Sequence, residues 1–130
     1  MRLFTRDEAD ELLAEVRPLA EQLVERKRSL DEAQAARAAL LDLIAGNGGD
    51  LTPSDVTDAA KGVRSAAAAV GRLVDELQGL GVQVKDLDEG LLDFPSERDG
   101  EVVLLCWRVG EDEIGYWHGV DEGFAGRKPL

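Results

Sequence analysis

The chain has 130 residues, of which 44% are hydrophobic and 32% are charged, and its formal net charge is -12. This length suits one domain with a single core. Such an acidic chain lacks the basic surface on which nonspecific nucleic-acid binding depends, so we expect no nucleic-acid partner. No stretch approaches the roughly 20 apolar residues of a membrane span, and we expect no membrane association. A single cysteine excludes an internal disulfide framework.

The first part of the chain carries the pattern of one long helix. Thr5 and Glu8 match a capping box, in which a hydroxyl and a carboxylate satisfy exposed backbone N–H groups. Apolar residues then recur at steps of three and four, and a glycine-rich run at residues 46–49 favours the end of the helix. Pro18 lies inside the pattern and removes one helical hydrogen bond, so we expect a bend or a short break near Val16.

A second helix pattern follows at once. Thr52 is a suitable N-cap, and Pro53 suits the first helical position. Apolar residues then repeat at four and three until Gly79 and Gly81 mark the end. Because only about 6–8 residues connect the two patterns, the helices are expected to be antiparallel neighbours. We therefore predict a long antiparallel helical hairpin, similar to a coiled coil, over residues 1–80.

The two predicted helices differ in length. At ~1.5 Å per residue the first would reach roughly 55–60 Å and extend several turns beyond the second. The surplus apolar seam has to be covered, either by the C-terminal part or by the same hairpin of another chain. We expect a homodimer through the helices, which would serve either a structural bundle or a coiled coil that binds a partner protein.

Residues 81–130 have the pattern of a small antiparallel sheet. Alternating or apolar runs are separated by turn residues, with no helix pattern between them. The runs are residues 82–85, 91–94 (ended by Pro95), 102–107 and 114–118, and a C-terminal Gly-Phe-Ala-Gly-Arg loop follows. Strands joined by short turns favour an antiparallel meander. Residues 1–130 are thus predicted to form a single α+β domain, a helical hairpin followed by a β-meander.

The pairing of the last two strands decides which of their side chains meet. If Val109 pairs with Ile114, Cys106 faces Trp117. A shift of one residue instead places Cys106 opposite His118. The sequence leaves both registers open.

His118 is the only histidine and a candidate metal ligand. With Asp121 and Glu111 it offers an imidazole and two carboxylates, and Asp93 is a further carboxylate that a neighbouring strand can supply. Cys106 joins them only in a favourable register. Three protein ligands with an open position are typical of a catalytic zinc or another divalent transition metal. The alternative is a structural histidine at a strand end, hydrogen-bonded to Asp121 or to the backbone.

The same strands offer a candidate ligand site. Indole rings supply apolar walls, while arginines and a histidine supply charge for a small acidic ligand or a peptide. The residues are Trp107, Arg108, Trp117, His118 and Arg127. The alternative is that the aromatic residues form the core beneath the helices and the arginines pair with carboxylates such as Glu111 and Asp121.

Cys106 is a weaker candidate for a nucleophile. A catalytic thiol needs a nearby cation that lowers its pKa. Arg108 on the same strand and His118 on the next predicted strand could supply one. Cys106 nevertheless lies in the most apolar strand of the chain. We therefore expect it to be a small buried hydrophobic residue.

The C-terminal motifs resemble one known family. They include Gly-Val-Gln-Val-Lys-Asp-Leu-Asp from Gly81, Leu-Leu-Asp-Phe-Pro after Gly90, Leu-Cys-Trp-Arg and Tyr-Trp-His. Together with the opening Phe4-Thr5, they are similar to a family of uncharacterised bacterial proteins, the domain of unknown function twenty-two-oh-three. The resemblance covers nearly the whole chain and implies a cytoplasmic bacterial protein of this architecture. It implies no activity, substrate or catalytic residue.

Two functions of different classes follow. The first is a non-enzymatic binding or scaffolding module with a small-ligand or peptide site at the C-terminal sheet. The second is a metal-dependent enzyme, hydrolytic in type, centred on His118. Stoichiometric metal that is lost on His118→Ala would favour the enzyme.

Overall fold

A computed structural model describes residues 1–46 and 51–130. Its elements are α1 (Arg6–Ala45), α2 (Pro53–Gly79), β1 (Gln83–Asp86), β2 (Leu91–Arg98), β3 (Glu101–Arg108), β4 (Tyr116–Gly119), a short helical turn (Phe124–Gly126) and β5 (Lys128–Pro129). The helices pack against each other, and the strands pair antiparallel in the order β1-β2-β3-β4-β5. The predicted α+β fold is confirmed. In the described ranges, neither helix has an apolar stretch that could cross a bilayer.

The helices begin where the sequence predicts. The Thr5 hydroxyl accepts a hydrogen bond from the Glu8 N–H (3.1 Å), and the Glu8 carboxylate accepts one from the Thr5 N–H (2.9 Å). At the start of α2, the Asp55 carboxylate accepts a hydrogen bond from the Thr52 N–H at 2.9 Å. α1 ends at Ala45, and the rest of the glycine-rich run that was expected to end it lies outside the described residues.

The short break considered near Val16 does not occur, because α1 is continuous through Pro18. Val16 and Ala20, on either side of the proline, are fully buried. Tertiary packing on both sides therefore holds the helix together across the missing hydrogen bond.

β2 extends beyond the predicted end at Pro95, as far as Arg98. In an antiparallel strand the N–H and C=O of one residue point to the same side, and the Pro95 carbonyl accepts a hydrogen bond from the Phe4 N–H at 2.7 Å. The nitrogen of Pro95, which carries no hydrogen, therefore points to the same side, where β1 does not extend. The sheet loses no interstrand hydrogen bond at this position. The turn to β3 consists of Asp99 and Gly100, whose φ angles of 53° and 81° suit a two-residue hairpin.

The end of the sheet differs from the sequence prediction. β4 begins at Tyr116 rather than at Ile114, and a fifth strand of only two residues follows it. Ile114 is buried in the core instead, and its N–H donates a hydrogen bond to the Asp10 carboxylate of α1 at 3.2 Å. A two-residue strand is too short to show an alternating pattern, so the sequence did not indicate β5.

One face of the sheet packs against both helices. Its buried side chains and those of the helices form a single cluster that includes Leu92, Phe94, Leu105, Trp107, Val16, Leu23 and Leu77. Beyond Leu23, the described part of α1 contains no buried residue. Leu41, Leu43 and Ile44 near its end are 43%, 52% and 45% exposed. The end of α1 thus leaves apolar side chains that the other described residues do not cover.

Candidate metal centre

The register of β3 with β4 differs from both registers considered from the sequence. Cys106 lies opposite Tyr116, and His118 lies opposite Leu104. The shift arises because Ile114 is drawn into the core and β4 starts only after it. On the other side of β3, Asp93 lies opposite Cys106.

This register places a carboxylate, a thiol and an imidazole on the face of the sheet that points away from the helices. Alternate residues of a strand share a face, and paired residues of neighbouring strands do too. Asp93, Cys106 and His118 therefore lie on one face, on the three adjacent strands β2, β3 and β4. One donor atom from each lies within 4.8 Å of the other two. All three residues are buried, with exposures of 1%, 0% and 2%.

The His118 ring is oriented by its own backbone. Nδ1 lies 2.8 Å from the carbonyl oxygen of Gly119. Because a carbonyl oxygen only accepts, Nδ1 carries the hydrogen and donates it. Nε2 lies 3.1 Å from Oδ1 of Asp93. In a neutral ring the Nε2 lone pair therefore points at a carboxylate oxygen, and this arrangement requires a proton or another cation between the two atoms.

Asp93 contains an unpaired buried acceptor. Its Oδ2 atom has no hydrogen-bond partner among the described residues. A buried carboxylate oxygen without a partner is costly, since it has lost its hydration and gained nothing in return. A positively charged or proton-bearing group beside this oxygen would satisfy it.

Cys106 is held as a thiol in the absence of such a group. Burial and the neighbouring Asp93 carboxylate raise the pKa of Cys106 to about 12, while Arg127 acts weakly in the opposite direction. A thiol with this pKa carries almost no thiolate at neutral pH, so Cys106 by itself is not an activated nucleophile. The expectation of a buried, hydrophobic cysteine agrees with its full burial.

Arg127, in the C-terminal segment, packs against one of the three residues, Cys106. Its Nη2 atom donates to Oε1 of Glu111 at 2.6 Å and to the backbone carbonyl of Cys106 at 3.2 Å. Its guanidinium carbon lies 4.1 Å from the centre of the Tyr116 ring and 4.6 Å from that of Phe124. Burial disfavours the charge, but the hydrogen bond to Glu111 and the negative charge of that carboxylate hold the pKa of Arg127 above its ordinary value. The Nε atom is buried and has no acceptor within the described chain.

The carboxylates expected around His118 are placed differently. The Glu111 carboxylate accepts hydrogen bonds from the Arg127 side chain and from the Arg108 backbone N–H, the latter at 2.7 Å. Asp121 is exposed. Neither residue belongs to the cluster of possible metal ligands, whose carboxylate is that of Asp93. A sequence signal for Asp93 exists, since an acidic residue within a short apolar strand either interrupts the core or has a buried partner.

The five residues expected to bind a ligand lie on two faces of the sheet. Trp107 is fully buried beneath α1, and its Nε1–H donates to the Glu111 carbonyl at 3.0 Å. Trp117 is on the same, helix-facing side, and the cations of Arg98 and Lys128 each lie 4.6 Å from the centre of one of its rings. His118, with Arg108 and Arg127, is on the opposite face. The sheet therefore separates the indoles from the charged groups.

Trp117 borders a separate cavity of about 580 Å³ between the start of α1 and the β2–β3 turn. Its apolar floor includes Phe4 and Leu105, and its rim includes Arg98. An apolar floor with charged groups at the rim is typical of small-ligand sites.

A family model described as "Uncharacterized conserved protein (DUF2203)" matches residues 2–130 of the chain. No curated protein and no solved structure matches this chain.

Proposed function

The chain belongs to the DUF2203 family of uncharacterised conserved proteins, and we propose that it binds a divalent transition metal ion through Asp93, Cys106 and His118. One observation carries this proposal. The Oδ2 atom of Asp93 is buried without a partner among the described residues, next to a thiol and to an imidazole nitrogen that lies 3.1 Å from the other carboxylate oxygen. A metal ion accepts electron pairs from all three groups at once.

The donor set suits zinc or a similar metal. Imidazole nitrogen, thiolate sulfur and carboxylate oxygen are its usual ligands, and three protein ligands leave one position open. The hydrogen bond from Nδ1 of His118 to the Gly119 carbonyl is the orientation typical of a metal-bound histidine. With Asp93 and Cys106 both deprotonated, their two negative charges cancel those of a divalent ion, so the complex adds no net charge to the buried face.

Metal analysis of untagged protein purified without chelator tests this proposal. We expect about one zinc ion per chain, with metal lost in Asp93→Asn, Cys106→Ala and His118→Ala. Asp121→Asn is the matched control, because it removes an exposed carboxylate from outside the group. Wild-type protein that stays metal-free after incubation with Zn²⁺ would exclude the metal site. Equal metal content in the three variants would exclude these ligands.

A hydrolytic enzyme centred on His118 is one function of such a site. The open position of a three-ligand metal supports it, because a substrate or water molecule can occupy that position. The burial of all three residues means that the side chains around them have to move before a substrate enters. Screening the zinc-loaded protein against ester and phosphoester substrates tests this, with His118→Ala as the inactive control.

A small-ligand or peptide site at the sheet is the second proposal. The cavity beside Trp117 supports it, because the Arg98 guanidinium lies over the indole and offers charge to an acidic group. Titration with benzoate, read by indole fluorescence, tests it. We expect the change to disappear in Trp117→Phe. A change that persists in that variant would assign the signal to Trp107 and count against the cavity.

We also propose that the protein is cytoplasmic and forms a homodimer. A cytoplasmic location suits the metal site, because the cytosol keeps a single thiol such as Cys106 reduced. A homodimer through the helices would cover the exposed apolar side chains near the end of α1.

A further inference from the structure

We infer that the proposed metal site takes its fourth ligand from outside the chain, and that this ligand is a small carboxylate held between the metal and Arg127. The inference rests on the proposed metal site. It adds the chemical class of the ligand and a residue that recognises it.

Among the residues that the structure describes, two buried side-chain atoms on this face of the sheet lack partners, and they are of opposite kinds. Oδ2 of Asp93 is an acceptor, and Nε of Arg127 is a donor. Both residues adjoin Cys106, since Asp93 is paired with it across the strands and Arg127 donates to its carbonyl. A metal ion would satisfy the Asp93 oxygen. It would leave the arginine N–H unpaired, because a cation accepts no hydrogen bond.

An anion with two oxygens can bind the metal ion and also accept the hydrogen bond from Arg127. One oxygen occupies the open metal position, and the other accepts the hydrogen bond from Nε of Arg127. Carboxylates are among the anions that the planar guanidinium of arginine binds. The Glu111 carboxylate already occupies Nη2 of Arg127 at 2.6 Å, so the Nε–H is the donor that stays available.

The surroundings favour a small and negatively charged ligand. The Arg108 guanidinium carbon lies 5.4 Å from the Phe124 ring centre. It therefore adds positive charge to this face of the sheet. Size is limited because Asp93, Cys106 and His118 are each at most 2% exposed. Formate fits these limits better than a phosphate ester.

Full-length protein loaded with Co²⁺ provides the test, because the visible spectrum of this ion depends on its ligands and their number. Formate is titrated into the wild type, Arg127→Lys and Glu111→Gln, and inorganic phosphate is the larger comparison anion. Arg127→Lys keeps the charge but removes the Nε–H. Glu111→Gln removes the charge of the ion-pair partner but leaves the Nε–H in place. Circular dichroism checks folding, and Arg127→Gln replaces the lysine variant if that variant is unfolded.

We expect formate to change the Co²⁺ spectrum saturably in the wild type and in Glu111→Gln. In Arg127→Lys, Co²⁺ should bind as in the wild type, while formate affinity falls about 10–100-fold, the value of one charge-assisted hydrogen bond. A spectrum that formate does not change, an unaltered formate affinity in the lysine variant, or tighter binding of phosphate than of formate would overturn the inference. Failure of Co²⁺ to bind before any anion is added would instead overturn the metal site itself, and the inference with it.

Discussion

Nε2 of His118 lies 3.1 Å from Oδ1 of Asp93, although 25 residues and a whole strand separate them. The two residues come from β2 and β4, and Cys106 on the intervening β3 completes the group. Each of these buried side chains has to find a partner away from water. This arrangement supports the proposed metal site on the outer face of the sheet.

Removing the Asp93 carboxylate should destabilise the protein even without metal. Asp93→Ala leaves Nε2 of His118 buried without a partner, and we expect a loss of about 2–3 kcal/mol in the free energy of unfolding. Urea unfolding in the presence of a chelator measures this value. The exposed control Asp121→Ala should stay within about 0.5 kcal/mol of the wild type. Equal stability of Asp93→Ala and the wild type would show that the His118–Asp93 hydrogen bond contributes little.

Cys106 should be unreactive in the folded protein. Raising the pKa of a thiol from 9.0 to about 12 lowers its thiolate fraction roughly 1000-fold at neutral pH, and full burial also excludes reagents. We expect a disulfide reagent such as DTNB to react with the chelator-treated protein only as fast as the fold opens. The same protein in urea, where Cys106 is exposed, is the control. Fast reaction without denaturant would contradict the closed environment of the thiol.

Gly90 should not tolerate a side chain. Its φ angle is +70°, and a Cβ atom there would lie 2.4 Å from Cγ2 of Val109 and 2.9 Å from Cγ2 of Val24. We expect Gly90→Ala to lower the free energy of unfolding by about 2–3 kcal/mol through strain and overpacking. Gly71→Ala is the matched control, since α2 leaves open space at this position and alanine favours a helix. It should raise stability by up to about 1 kcal/mol.

The cap of α1 should make stability depend on pH in acid. The hydrogen bonds from the backbone and hydroxyl of Thr5 hold the pKa of Glu8 below its ordinary value. The contribution of Glu8 is therefore complete above its unfolded-state pKa and is lost as the pH falls through the folded-state value. Unfolding measured from about pH 7 to about pH 3 should show a difference between the wild type and Glu8→Gln that shrinks in acid. Glu11→Gln, an exposed glutamate of the same helix, should show no such convergence.

The helical tip should carry the contact of the proposed homodimer. Leu43 is 52% exposed near the end of α1, and we expect Leu43→Lys to shift the mass measured by light scattering from dimer to monomer. Val120→Lys, which adds the same charge at a residue 56% exposed near the sheet, should leave the mass unchanged. A wild-type chain that stays monomeric at all accessible concentrations would refute the dimer.

The helices and the class of fold follow from local patterns in the amino-acid sequence. Thr5 with Glu8 and the Thr52-Pro53 pair mark helix starts through local hydrogen bonds, and the steps of three and four extend each helix. These signals act between residues close in the chain, so they can be read without knowing the tertiary structure. The strand order followed for the same reason, because short turns leave neighbours in sequence as neighbours in the sheet.

Which residues meet at the candidate site depends on tertiary packing, which local patterns do not specify. The burial of Ile114 against α1 delays β4 by two residues and sets the register that brings His118 beside Asp93. Register depends on how a distant helix packs, and a slip of one residue moves every side chain of a strand to the opposite face. The same packing placed Trp107 in the core and Arg127 on the outer face, because the helices can cover only one side of the sheet.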